Sequence, residues 1–193
     1  MAFDVAAIRA QFPILAPGAH DRPLHYLDNG ATAQMPQAVL DALFRHETRH
    51  RANVKRSVHF LAEAATEAYD NAREVMAAYV NARSSDEIVF TSGCTAAINL
   101  VAHSYGALLK PGDEVVISAL EHHSNIVPWH LLAKRAGVTV KAIPVTSEGR
   151  LDLAALPQVI GPRCRLVAVT HVSNVTGAET DVAAVVSAAR AVG

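Results

Sequence analysis

The chain has 193 residues, enough for one sizeable core and for about one or two domains. Apolar residues make up 51% of it, and 17 Lys and Arg nearly balance 18 Asp and Glu, so no charge excess draws it toward nucleic acid or an anionic membrane. The segment from Met1 to Phe12 alternates apolar and charged residues, unlike a secretion signal. No run of ~18 apolar residues suggests a membrane-spanning helix, and the two cysteines, Cys94 and Cys164, suit a reducing cytosol better than a disulfide scaffold. These features predict a cytoplasmic protein with small, near-neutral ligands.

In chain order, Pro36 opens a helix that sets Val39, Leu40, Leu43 and Phe44 on one face. Ala65, Tyr69, Ala72, Met76 and Tyr79 recur at helical spacing in a second helix. Ile88 to Thr91 reads as a buried strand, turning through Ser92-Gly93-Cys94-Thr95 into a helix that carries Ile98, Val101, Ala102 and Tyr105. Pro111-Gly112-Asp113 turns the chain into a strand at Val115 to Ser118. A helix around Ile126 to Ala136, a β-branched run at Val138 to Val145 and a short helix at Leu153 to Ile160 come next. Leu166 to Thr170 reads as a further strand, and Asp181 caps a last helix that ends near Gly193. Apolar strands separated by helices predict βαβ units, hence an α/β fold with a mostly parallel sheet covered by helices on both faces. A sheet ending there is expected to be incomplete, with an unpaired edge.

Ligands of such sheets bind beyond the carboxyl ends of the strands. Three strand ends carry unusual polar clusters. In Ser92-Gly93-Cys94-Thr95, backbone amides and the Thr95 hydroxyl can cradle a phosphate, although the same residues also suit a plain capped turn. In Glu121-His122-His123-Ser124-Asn125, adjacent histidines diverge, whereas metal-binding histidines recur three to five residues apart. Ring stacking, proton transfer, a surface role and a metal site all stay open at that point. In His171-Val172-Ser173-Asn174-Val175-Thr176-Gly177, the Asn174 amide can bond a cofactor hydroxyl or a carboxylate, or simply form a turn.

Four segments together resemble one family. They are Tyr26 to Pro36, Asn53 to His59 leading to Ala65-Thr66, Glu121 to Trp129, and Thr170 to Gly177. Their residues, order and spacing are similar to those of class V aminotransferases, in particular the cysteine desulfurase and selenocysteine lyase group, over nearly the whole chain. The resemblance implies a pyridoxal-5'-phosphate (PLP) transferase fold of type I, like aspartate aminotransferase. It divides the chain into residues 1–35, an N-terminal segment with a substrate-pocket loop, and residues 36–193, part of the PLP-binding large domain. It implies that Thr95 and the Cys94 backbone bind the PLP phosphate, that His123 stacks on the ring and assists proton transfer, and that Asn174 contacts the ring hydroxyl or the substrate carboxylate. Gly30 and Ala31 become walls of the substrate pocket. Arg56 falls near the active site of the partner subunit in a homodimer.

The implied reaction converts L-cysteine to L-alanine and leaves the sulfur as an enzyme persulfide, to be passed to a sulfur-acceptor protein, as in iron–sulfur cluster assembly. No metal ligand set is implied. Lys55, Ser57, Cys94 and Ala96 stand where the group often has His, Gly, Thr and an acidic residue. The family's Asp for the ring nitrogen, its Ser-x-His-Lys segment, persulfide cysteine and carboxylate-binding arginine correspond to positions past Gly193. The resemblance therefore describes an N-terminal portion that is inactive by itself. A selenocysteine lyase, aminotransferase or epimerase of the same family, a short partner-binding protein, and a metal hydrolase built on His122, His123 and His171 are the alternatives.

Overall fold

The computed structural model describes residues 3–16 and 22–193. Residues 17–21 and the first two of the expected 1–35 segment lie outside the described residues. The chain divides by its internal packing into two compact units, Met1–Val89 and Phe90–Gly193.

The first unit is helical. α1 (Val5–Arg9) is capped by Asp4, whose Oδ1 accepts the Ala7 N–H at 3.0 Å. α2 (Gln37–Arg45) starts directly after Pro36, and its expected apolar face of Val39, Leu40, Leu43 and Phe44 is exposed. α3 (Phe60–Tyr79) is the long helix read from the 3.6-residue period, with Ala62, Ala65 and Ala77 buried along one side. From its middle, Arg73 donates to the carbonyls of Ile88 and Ser85 at 3.1 and 2.5 Å, tying the segment after the helix back onto it.

The second unit is built on a parallel sheet. It runs α4 (Cys94–Ser104), β1 (Glu114–Ser118), α5 (Val127–Ala136), β2 (Thr139–Ile143), α6 (Leu156–Val159), β3 (Cys164–Ala168) and α7 (Val182–Arg190). The strand order is β2-β1-β3, with Val116 beside Lys141 of β2 and Val167 of β3. Being central, β1 is buried at all five positions. Its Val115, Val116 and Ile117 each contribute about 1.5 to 3 kcal/mol by leaving water. Alternation along the strands splits the core in two. Val115, Ile117, Leu166 and Ala168 pack with Trp129 and Leu132 of α5 and Ala102 of α4. Val116, Ile143 and Val167 pack with Leu156 of α6 and Val185 of α7. Helices therefore cover both faces, as the sequence pattern predicts.

Two expectations need correction. Residues 88–91 are not among the three strands of the sheet, and Val89 and Phe90 are 67% and 44% exposed rather than buried. Their backbone is extended at Ile88, but a strand requires a ladder, and an apolar run cannot announce one. β3 also begins and ends two residues earlier than the apolar run Leu166 to Thr170 suggests. A register shift opposite Glu114 and Val115 inserts Arg165 as an extra residue, which lets Cys164 and Val167 share one face of the sheet.

Candidate functional site

The strand order creates a crevice. From β1 the chain crosses to α5 on one face, and from β3 to α7 on the other, so the connections part between the carboxyl ends of β1 and β3. Open α/β sheets bind ligands at such a switch point. The polar clusters at 121–125 and 170–174 come directly after these two strands.

The first component is the start of α4. Gly93 takes φ +140°, a conformation that disfavours any side chain, and places its carbonyl to accept the Ala97 N–H at 3.0 Å. The amides of the first helical turn, including Cys94 and Thr95, have no partner within the helix, and both residues are exposed. Thr91 fixes the turn by donating its hydroxyl to the Gly93 carbonyl at 3.0 Å, and Asn99 donates to the Thr95 carbonyl at 2.9 Å. This geometry suits an anion.

The second component is the turn after β1. His122 Nδ1 accepts the Ser124 N–H at 3.2 Å, which pins its ring, while His123 is exposed. The two imidazoles lie edge to face, with ring centroids 6.0 Å apart and planes at 80°. Among the described residues no group of three or more His, Cys, Asp or Glu side chains is placed to hold a metal ion. Thr95, Asn99, His122, His123, Val127 and Pro128 border a cavity of about 340 Å³. A larger groove of about 860 Å³ lies along β3 between α4 and α7, with Cys94, Glu121 and Thr170 at its lining. His122 borders both.

The third component is the loop after β3. Ser173 is 3% exposed, and its hydroxyl accepts the N–H groups of Val175 and Thr176 at 3.2 Å each. Backbone bonds from Thr180 N–H to the His171 carbonyl (2.8 Å) and from Ser173 N–H to the Ala178 carbonyl (3.0 Å) close the loop. Asn174 is exposed at its tip and borders neither cavity. His171 meets Glu179 at 3.5 Å on the outside.

Glu121, which the sequence motifs include without giving it a role, joins these parts. Its Oε1 accepts the Ser118 hydroxyl at 2.5 Å and the Thr170 N–H at 2.6 Å, and its Oε2 accepts the Asn125 amide at 2.8 Å. Asn125 in turn accepts the indole N–H of buried Trp129 at 2.9 Å. The available signal was the Ser118-x-x-Glu121 spacing in an apolar setting, a pattern usually read as a helix cap.

The remaining expected residues belong to the first unit. Gly30 and Ala31 lie in a turn where Ala31 N–H donates to the Asp28 carbonyl at 3.1 Å, and Tyr26 donates its hydroxyl to the Thr32 carbonyl at 2.9 Å. Arg56 is exposed beside Lys55, which has φ 59° and pairs with Asp70 at 2.7 Å.

The family model for class V aminotransferases matches residues 25–193. The chain belongs to that family. It is 46% identical over 197 aligned residues to a cysteine desulfurase of Pectobacterium carotovorum subsp. carotovorum, covering 100% of this chain and 48% of that one. Among solved structures, the apo cysteine desulfurase of Thermococcus onnurineus NA1 superposes with a TM-score of 0.89 at 34% identity, covering 99% of this chain and 46% of that chain. The cysteine desulfurase CsdA of Escherichia coli gives 0.83 at 38% identity, with coverages of 100% and 47%. This class V chain thus has their α/β fold and spans just under half of their length.

Proposed function

We propose that this chain forms the phosphate- and ring-binding part of a PLP-dependent cysteine desulfurase. One observation carries the reading: Thr95, at a helix start with unpaired amides, and His123, at the end of β1, border one cavity in a chain 46% identical to a cysteine desulfurase. The donor set fits PLP, since the first-turn amides of α4 and the Thr95 hydroxyl match a phosphate and the imidazole of His123 offers a flat face to an aromatic ring.

PLP, when bound, supplies an electron sink that weakens the bonds at the α-carbon of an amino acid. The residues do the rest. Cys94 and Thr95 hold the phosphate through N–H groups and a hydroxyl. His123 lies against the ring and moves a proton through its imidazole. Asn174 offers an uncharged amide to the ring hydroxyl or the substrate carboxylate. Gly30 and Ala31 wall the substrate pocket, and Arg56 serves the active site of a second subunit in a homodimer. The substrate is L-cysteine, which leaves as L-alanine while its sulfur passes to a thiolate as a persulfide and then to an acceptor protein. Residues 1–35 form the pocket segment and 36–193 part of the cofactor domain. None of the described helices is long and apolar enough to cross a membrane, and a cytoplasmic location accords with the two unpaired cysteines.

Thr95→Val and His123→Ala in the purified chain test the cofactor reading through PLP affinity. The activity is tested in this chain joined to the second half that its relatives carry. L-cysteine should then yield L-alanine and, under a reductant, sulfide in equal amounts. PLP binding with no alanine would overturn the desulfurase assignment and leave the cofactor reading standing.

A further inference from the structure

We propose that Glu121 is the positioning residue that holds the two strand-end clusters of the cofactor site in register, a role that rests on the PLP reading above. Its carboxylate sits at the switch point, where β1 and β3 part company. Three donors converge on it from three directions: the Ser118 hydroxyl at 2.5 Å, the Thr170 N–H at 2.6 Å and the Asn125 amide at 2.8 Å. The Thr170 bond spans 49 positions of sequence and fixes the loop that leads to Asn174. The Asn125 bond fixes the turn that carries His123, two residues past Glu121, and continues to the buried Trp129 indole at 2.9 Å. A half-buried side chain facing only donors must be an acceptor throughout, which a carboxylate is and a carboxamide is not.

The polarity of this network makes the role testable apart from mere packing. In Glu121→Gln, the oxygen can still serve Ser118 and Thr170, but its new N–H₂ faces the N–H₂ of Asn125. Adding Asn125→Asp turns that neighbour into an acceptor while keeping an oxygen for Trp129, so the double substitution rebuilds the chain of bonds with the charge moved by one residue. Trp129 is the only tryptophan in the sequence, so its emission reports on the network directly.

The experiment titrates PLP into the purified 193-residue chain and its variants, with Trp129 emission and circular dichroism recorded in parallel. Glu121→Gln should weaken PLP binding by about fivefold or more and shift the emission, and the double variant should return both to within about twofold of the parent. Should the Gln variant fail to fold, Glu121→Asp keeps the charge but withdraws the carboxylate by one methylene, and a loss of about fivefold is again expected. A folded single variant that binds PLP within about twofold of the parent overturns the proposal, as does a folded double variant that restores nothing. If the parent itself does not bind PLP, the cofactor reading fails first and the positioning role with it.

Discussion

Thr95 and His123, 28 positions apart in the sequence, border the same cavity of about 340 Å³. One stands at the start of α4 and the other beyond β1, so under the proposed cofactor reading each would contact PLP through a different part of the molecule. Thr95→Val should weaken PLP binding by about tenfold through loss of a charge-assisted hydrogen bond, and His123→Ala should weaken it by a similar factor. The two losses should nearly multiply in the double variant, because phosphate and ring contacts are separate. Titration by absorption or by Trp129 quenching gives the affinities.

Gly93 sets the entry to α4 at φ +140° with nothing within 4 Å of where a Cβ would sit. Gly93→Ala therefore meets backbone strain rather than a clash. Its expected cost is about 1 to 3 kcal/mol in thermal or denaturant unfolding. Relaxation of that strain would also turn the first-turn amides, so PLP affinity should fall alongside stability.

At the opposite end of β1, Glu114 is 1% exposed. Arg163 donates to its Oε1 through Nε and Nη2 at 3.0 and 2.8 Å, and Lys141 Nζ pairs with Oε2 at 2.8 Å. Lys141 first, then Arg163, holds this carboxyl below the ordinary glutamate value of 4.5 against the opposing effect of burial. The unfolded chain consequently takes up this proton first as pH falls. The stabilisation is present above the ordinary value and is lost as pH drops below 4.5 toward the folded one. Glu114→Gln should cost about 2 kcal/mol at neutral pH, less than a fully buried pair because the Arg163 side chain is 71% exposed. It should also flatten the acid limb of the stability profile.

The two thiols should differ in reactivity. Cys94 is exposed, whereas Cys164 is buried, donates weakly to the Leu166 carbonyl at 3.6 Å, and has its thiol pushed up by desolvation. A thiol-specific reagent should modify Cys94 promptly and Cys164 only as the chain unfolds. Equal rates would show that the β3 edge opens in the native state.

The sequence makes the βαβ rhythm legible because Val115 to Ser118 and the helix after Ile126 obey simple periods. It misleads at 88–91, where an apolar β-branched run has the composition of a strand without belonging to the sheet. It misplaces β3 by two residues because the bulge at Arg165 is a property of pairing with Glu114 and Val115, which local pattern does not contain. Thr95 and His123, which border one cavity, are legible as candidates because each stands in a polar cluster just past an apolar run. Glu121 is not, since its partner Thr170 lies 49 positions away and becomes visible only once β1 and β3 are neighbours.

The lysines offer a further prediction. Lys141 is engaged with Glu114, Lys55 with Asp70, and Lys134 sits in the last turn of α5, away from the end of β1. Borohydride treatment of the chain mixed with one equivalent of PLP should not fix the cofactor to one lysine. Stoichiometric labelling of a single site among Lys55, Lys110, Lys134 and Lys141 would contradict the assignment of the cofactor pocket to Thr95 and His123.

The central claim, that this class V chain holds PLP at the start of α4 and beyond β1, is tested most directly by nuclear magnetic resonance of the ¹⁵N-labelled chain titrated with PLP. The account predicts saturable shifts that are largest at the amides of Cys94, Thr95 and Ala96, at His122 and His123, and in the loop from Thr170 to Asn174. Shifts scattered over the surface, or a saturable site elsewhere in the chain, would contradict it.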